Sequence, residues 1–266
     1  MFMIDVHCHL NFHSFGKDTG EVIKNAFAKG VKKIINVGTK LDSSQKAIEL
    51  AEKYENLYAI IGVHPHHADK LEKDWIDDLE KLSKNPKVVG IGECGMDFYS
   101  YQSNGIVEPK LQKDVFVKQI ELSLRLKLPL QIHNRHAGKE IIEILNYYKN
   151  DLLNPPGMFH CMSGDLEFLK RVLDLGFYVG FDGNITYKGF APGEETKLTD
   201  LIKQTPIDRI VTETDSPYLT PQPYRGSRNI PEYVIIVGQF IAGVKGVSFD
   251  KIEEQTTKNA GKIFKF

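Results

Sequence analysis

Three cysteines in 266 residues are too few, and the wrong number, for a disulfide framework, and no two of them form a Cys-x-x-Cys pair. The apolar runs are no longer than a strand needs, so none of them spans a bilayer. A basic-then-apolar leader is also missing, and the cytoplasm is the expected location. Charge of either sign is not in surplus, with 34 Lys and Arg against 35 Asp and Glu. A chain so balanced does not coat nucleic acid or membranes by bulk electrostatics; a polyanion has to be gripped by a local patch. Linkers, repeats and low-complexity tracts are absent too, and no obligate protein partner is evident. Residues 1–266 fit one α/β barrel domain of roughly 250 residues without remainder.

What the chain does contain is an alternation of short β-type runs with amphipathic helical stretches, the pattern of a parallel sheet wrapped by helices. Eight strands are expected: Met3 to Val6, Lys33 to Val37, Tyr58 to Gly62, Val88 to Ile91, Leu130 to Ile132, Met158 to Phe159, Phe177 to Gly180 and Arg209 to Thr212. Most are continuous apolar runs, as strands covered on both faces should be. Between them, Ala47, Leu50, Ala51 and Tyr54 make an apolar helical stripe, Lys110 to Lys127 forms a longer helix, and Asp165 opens a helix that Gly176 closes. Two helices follow the last strand, from Pro231 and from Phe249 or Asp250. The fold expected is a (β/α)8 TIM barrel with an extra C-terminal helix. Its active site would lie at the C-terminal strand ends, under the loops 96–108, 183–195 and 216–229.

His7 and His9 stand two residues apart at the end of the first strand, where alternation sends both rings to one side. Taken alone, the pair is as readily a chance His-x-His as a metal site. The remaining histidines change this. All nine, at 7, 9, 13, 64, 66, 67, 133, 136 and 160, fall at or just after the end of an expected strand, and none within an expected helix. Such clustering at one barrel end points to metal binding by imidazole. Carboxylates occupy matching places: Glu93 at the tip of the fourth strand and Asp215 at the tip of the eighth. Glu93 is the candidate to bridge two divalent ions about 3.5–4 Å apart, and Asp215 the candidate ligand and proton acceptor for the attacking water. Each acid singly could equally cap the next helix. Cys8, Cys94 and Cys161 each neighbour one of these residues and are expected to point the other way, into strand–helix packing.

The motifs together are His7-Cys8-His9, Gly62-Val63-His64-Pro65-His66, Gly90-Ile91-Gly92-Glu93-Cys94-Gly95-Met96-Asp97-Phe98, His133-Asn134-Arg135-x-Ala137, Phe159-His160-Cys161, Glu213-Thr214-Asp215-Ser216-Pro217-Tyr218-Leu219 and Arg225-Gly226-x-Arg228-Asn229-x-Pro231. In this order they resemble the TatD-type deoxyribonucleases of the amidohydrolase-like hydrolases, over essentially the whole chain. The resemblance implies a dinuclear centre, with His7, His9, Glu93 and Asp215 on one ion and Glu93, His133 and His160 on the other. It also implies that His64 lines the mouth and that Arg135, Arg225 and Arg228 face substrate phosphates. The family commonly has Glu where this chain has Ile230, which removes no expected ligand. The implied activity is phosphodiester hydrolysis of single-stranded or frayed DNA, or of RNA, by attack of a metal-bridged hydroxide. Imidazole and carboxylate donors suit Zn, Mn, Co or Ni, and Mg in excess. Phe98, Tyr99, Tyr101, Tyr187, Phe190, Tyr218 and Tyr224 are available to stack on bases, or else pack their own loops. The alternative activity is ester or amide hydrolysis, such as removal of a D-amino acid from transfer RNA.

Overall fold

Strands that are apolar on both faces need a filled interior on one side and helices on the other. The computed structural model, which describes residues 2–102 and 105–266, supplies both. In chain order the elements are β1 (Met3–Cys8), α1 (Thr19–Ala28), β2 (Val31–Val37), α2 (Leu41–Glu52), β3 (Leu57–Ile61), α3 (Trp75–Leu82), β4 (Val88–Asp97), α4 (Pro109–Leu126) and β5 (Leu130–Arg135). They continue with α5 (Gly138–Tyr147), β6 (Gly157–Phe159), α6 (Leu166–Asp174), β7 (Tyr178–Phe181), α7 (Leu198–Gln204), β8 (Ile210–Thr212), α8 (Val234–Lys245) and α9 (Phe249–Phe264). Each strand pairs in parallel with the next, in the order β1 to β8. The ring closes through the segment after β8. Asp215 N donates to His7 O at 2.9 Å and His9 N to Ser216 O at 2.8 Å. The result is the expected TIM barrel.

Ile4, Val6, Ile35, Val37, Ile60, Val89, Met158 and Val211 fill the barrel interior. Its N-terminal end is stoppered by Ala260, Ile263 and Phe264 of α9, so the chemistry is left to the opposite end. A larger apolar cluster joins the outer strand faces to the helices. Local signals set the helix ends. Glu108 accepts from Leu111 N at 3.0 Å before Pro109 starts α4, and Asp165 accepts from Phe168 N at 2.7 Å before α6. Among the described residues no single helix is long and apolar enough to cross a membrane.

Three strands run farther than the sequence suggests. β1 continues to Cys8, β4 to Asp97 and β5 to Arg135, because Gly95, Met96 and Asp97 stay in register with His133, Asn134 and Arg135. A glycine and polar side chains look like a strand's end, but a neighbour's ladder holds them. In β1 the register with β2 slips between Asp5 and Cys8, and in β4 the register with β5 slips between Ile91 and Cys94. Ser103 and Asn104, in the loop expected at 96–108, lie outside the described residues.

Candidate metal centre

Both register slips fall at candidate ligands, and such irregularities re-aim side chains at the mouths of barrels. In β1 Val6 belongs to the interior cluster, yet the next residue, His7, already turns its ring into the mouth. Its Nε2 lies 3.1 Å from His9 Nε2. In β4 the slip frees Glu93. Gly92 packs so closely on β5 that a Cβ there would meet Gln131 O at 2.5 Å, which lets the following carboxylate enter the site. Asp215 adopts a left-handed conformation (φ 53°), tolerable for Asp, that turns the chain off β8 and brings its carboxylate over His9.

Two donor groups result, and Glu93 belongs to both. Its Oε2 is 3.7 Å from His7 Nε2 and from His9 Nε2, while Asp215 Oδ1 stands 3.6 Å and 3.3 Å from the same two nitrogens. Its Oε1 is 2.9 Å from both His133 Nδ1 and His160 Nε2, themselves 3.1 Å apart. Burial would raise the Glu93 pKa, but the charges of His64 and His160 and the contacts with His133 and His160 hold it well below the usual range. An ionised carboxylate supplies no proton, and two imidazole nitrogens 3.1 Å apart can share only one. A divalent cation at each focus would satisfy these lone pairs together, and the donors fit such ions.

Hydrogen bonds on the far nitrogens set which imidazoles have a lone pair free to ligate. His9 Nδ1 lies 2.9 Å from Val37 O, and His133 Nε2 3.2 Å from Asp97 Oδ2. A carbonyl or carboxylate there takes the ring proton and leaves the lone pair on the inner nitrogen. His64 is the reverse case. Its Nδ1 accepts from His66 N at 3.1 Å, and burial lowers its pKa, so the neutral ring carries its proton on Nε2. That atom is 3.5 Å from Glu93 Oε1 and faces the site as a donor.

Residues 4–265 match the TatD related DNase family. The chain belongs to that family. It is 37% identical to a Bacillus subtilis protein named as an uncharacterized metal-dependent hydrolase, YabD, over 99% of both chains. With the 3'-5' ssDNA/RNA exonuclease TatD of Salmonella typhimurium it shares 30% identity over 98% of both. Among solved structures, the TatD homologue YjjV of Escherichia coli superposes with a TM-score of 0.89 at 28% identity, covering 99% of this chain and 98% of that one. This TatD family protein is therefore a metal-dependent hydrolase.

Behind the candidate ligands stand acids that the sequence motifs left without a role. Asp97, buried at the end of β4, has Oδ2 3.2 Å from His133 Nε2, 3.1 Å from Tyr101 Oη and 3.0 Å from His66 Nε2, the last not aligned as a hydrogen bond. Burial works against its charge, but His133 and His66 outweigh burial and keep it ionised. Burial opposes the charge on His133, but its contacts with Asp97 and Glu93 prevail and raise it to about 9. Glu213 sits beneath His160, with Oε1 3.8 Å from its Nδ1, in space that Gly180 vacates: a Cβ at 180 would stand 2.6 Å from the carboxylate. Burial first, then the charge of Asp182, pushes Glu213 well up. Alternation within Glu213-Thr214-Asp215 was the available signal for Glu213, and the motif itself for Asp97.

The three arginines fare differently. Arg135 is held over Tyr99, 4.0 Å from its ring, and donates from Nη1 to Tyr101 Oη at 2.9 Å, which ties it through Asp97 to His133. Arg225 is exposed and lies 4.0 Å over the Tyr187 ring. Arg228 departs from expectation. Both of its Nη atoms engage Asp18, at 2.9 and 2.5 Å, and Nη1 also reaches Ser14 O at 2.6 Å, so three of its five N–H donors serve the loop before α1. Ile230 packs against the outer core.

Other expectations need adjustment. His13 starts a short 3-10 turn and His66 and His67 lie in another, while His13 and His136 are exposed and outside the donor groups. Cys8 and Cys94 are core thiols. Cys161 is not: a left-handed turn (φ 47°) just after β6 breaks the alternation and leaves its Sγ at the mouth, 3.3 Å from Asn184 Nδ2. Of the aromatics, Tyr224 is stacked on Tyr233, and Tyr218 stands exposed.

Proposed function

We propose that this TatD family protein is a two-cation phosphodiesterase acting on single-stranded or frayed DNA, with RNA as a further substrate. The observation that carries the reading is the division of Glu93, one oxygen toward His7 and His9 and the other toward His133 and His160. When bound, divalent cations (Zn, Mn, Mg, Co or Ni) supply an activated water and screen charge on the phosphoryl oxygens. The chain's own residues do the rest. Asp215, whose side chain is more exposed than that of Glu93 (14% against 5%), takes the proton of the attacking water. His64 donates its Nε2 proton to a phosphoryl oxygen. Arg135, pre-set by Tyr99 and Tyr101, meets a flanking phosphate with a planar fork, and Arg225 meets another. The single-stranded substrate class agrees with the name of the Salmonella relative.

The test is elemental analysis of the purified protein beside cleavage of end-labelled oligonucleotides across a metal panel. Two equivalents of metal and faster cleavage of single strands than of duplex are expected. An aminoacyl ester turned over faster than any phosphodiester under the same metal would overturn the reading in favour of a deacylase.

A further inference from the structure

Two clefts flank the metal centre, and they differ in charge. One, of about 460 Å³, includes Asp165, Glu194 and Glu195 in its lining, against Lys139 and His136. The other, of about 480 Å³, has Lys40, Lys46 and His67 in its walls, against Asp42. Lys40 already pairs with Asp42 at 3.3 Å, whereas Lys46 has no ion-pair partner among the described residues. The local field is felt by His67, which burial and then the charges of Lys40 and Lys70 push below the ordinary histidine value.

The basic cleft also adjoins the candidate ligands. Phe12 in its wall stacks on the ring of His9 at 4.4 Å between centroids and 10° between planes. Tyr218 stands edge-on to Phe12 at 6.4 Å, and its amide donates to Asp215 O at 2.9 Å. Tyr218 is 54% exposed although it lies against this cleft. An aromatic side chain left open to solvent beside cationic groups is the arrangement that takes a base and its phosphate from a single strand.

We infer that this cleft seats the nucleotide adjoining the scissile phosphate, with its base against Tyr218 and Phe12 and its phosphate met by Lys40 and Lys46. The inference rests on the phosphodiesterase reading above. It adds a direction: the strand leaves the metals on the α2 side, away from the acidic cleft, which repels it.

The test measures binding and turnover separately. A fluorescein-labelled single-stranded oligonucleotide with phosphorothioate linkages reports binding by anisotropy, and bis(4-nitrophenyl) phosphate, too small to reach the cleft, reports the centre. The double variant Lys40→Glu with Lys46→Glu is expected to raise Kd about tenfold or more and to flatten its salt dependence by about one unit, for the phosphate no longer engaged. Turnover of the small diester stays within twofold of wild type. Lys139→Glu in the acidic cleft changes Kd less than twofold. Tyr218→Ala weakens binding of the normal oligonucleotide but not of one with abasic tetrahydrofuran units. All four positions line open clefts, and melting curves confirm that the variants fold. A double variant that binds like wild type, or Lys139→Glu weakening binding as much, would overturn the inference. Failure of the phosphodiesterase reading is visible apart from this, as absence of small-diester turnover in the wild type under every metal.

Discussion

Glu93 contributes an oxygen to each donor group, so its removal should act differently from that of any other ligand. Glu93→Ala is expected to lower metal content at both positions, whereas His133→Ala should empty mainly one; two ions retained by the Glu93 variant would end its bridging assignment. Asp215→Asn keeps the shape and one ligating oxygen but accepts protons poorly. Its kcat should fall by about 10² to 10⁴ with most metal retained, the usual range for a general base. Recovery of full rate on adding excess metal would show Asp215 to be only a ligand. Asp97 acts one step back. Asp97→Asn preserves an acceptor for Tyr99 N, which donates to Oδ1 at 2.8 Å, but removes the charge that holds the proton on His133 Nε2. Affinity at the His133 position should drop about 10- to 100-fold by titration calorimetry, as for other partners of ligating histidines. It should also free Tyr101 and Arg135, so KM for an oligonucleotide rises while that for a small diester does not. An equal rise for both substrates would confine Asp97 to the metal.

At the level of elements, β1 and β4 were legible as apolar runs, and the helices with caps and stripes, such as α4 and α6, were legible too. The ends were not. Glu93 reads as the tip of β4 and Met96 and Asp97 as loop because glycine and acids are poor strand formers, and only pairing with His133–Arg135 carries the strand on to Asp97. The short helices α3, α5 and α7 open without the side-chain cap that starts α4, and packing on the barrel makes them helical. His7, His9, Glu93, His133, His160 and Asp215 could all be placed at the barrel mouth because a strand tip needs no long-range knowledge. The partners Asp97–His133, Glu213–His160 and Asp18–Arg228 could not, because each joins segments far apart in the chain through register or loop packing. The stopper at the barrel floor gives this scale its own test. Phe264 is 3% exposed among interior side chains, and Phe264→Ala should cost about 3–5 kcal/mol, or roughly 10 °C of Tm. Since α9 closes the end opposite the centre, kcat and metal content at about 20 °C should be unchanged, well below any melting transition of a mesophile domain. A loss of activity without a loss of Tm would mean that the floor and mouth are coupled.

The whole molecule is nearly neutral, yet it concentrates buried ionisable groups in one barrel end, and this makes the metal-free fold sensitive to pH. Burial, against the bonds from Thr214 and His7, raises Asp5 to about 8; burial and then the charge of Asp215 raise Asp182 to about 7. The folded chain therefore keeps protons that the unfolded chain releases above a pH of about 4. A raised folded pKa gives stability that is complete below the unfolded value and lost as pH climbs through the folded one. His133, at about 9, and His9, raised by Asp215 and Glu93 against burial, act in the same sense above the ordinary histidine value. His7 and His64 act oppositely. Burial lowers both, the charge of His160 adding to it at His7, so folding gains from them only as pH rises to about 6.5. Glu93 and Asp97, both lowered, matter only in acid. Above a pH of about 7 the first sign stands alone. Each pH unit over which one extra proton is lost costs about 1.4 kcal/mol, so the Tm of metal-free protein should fall by roughly 5 °C or more between pH 7 and 9. Asp5→Asn keeps acceptors for the Thr214 and His7 amides and should make that fall shallower. Metal should do so as well, because ligation holds His9 and His133 deprotonated at the inner nitrogen in place of the second proton. Calorimetry of chelator-treated protein across this range decides the matter: a Tm that is level or rising from about pH 7 to 9 would mean that the buried acids at the barrel mouth are ionised in the fold without any cation beside them.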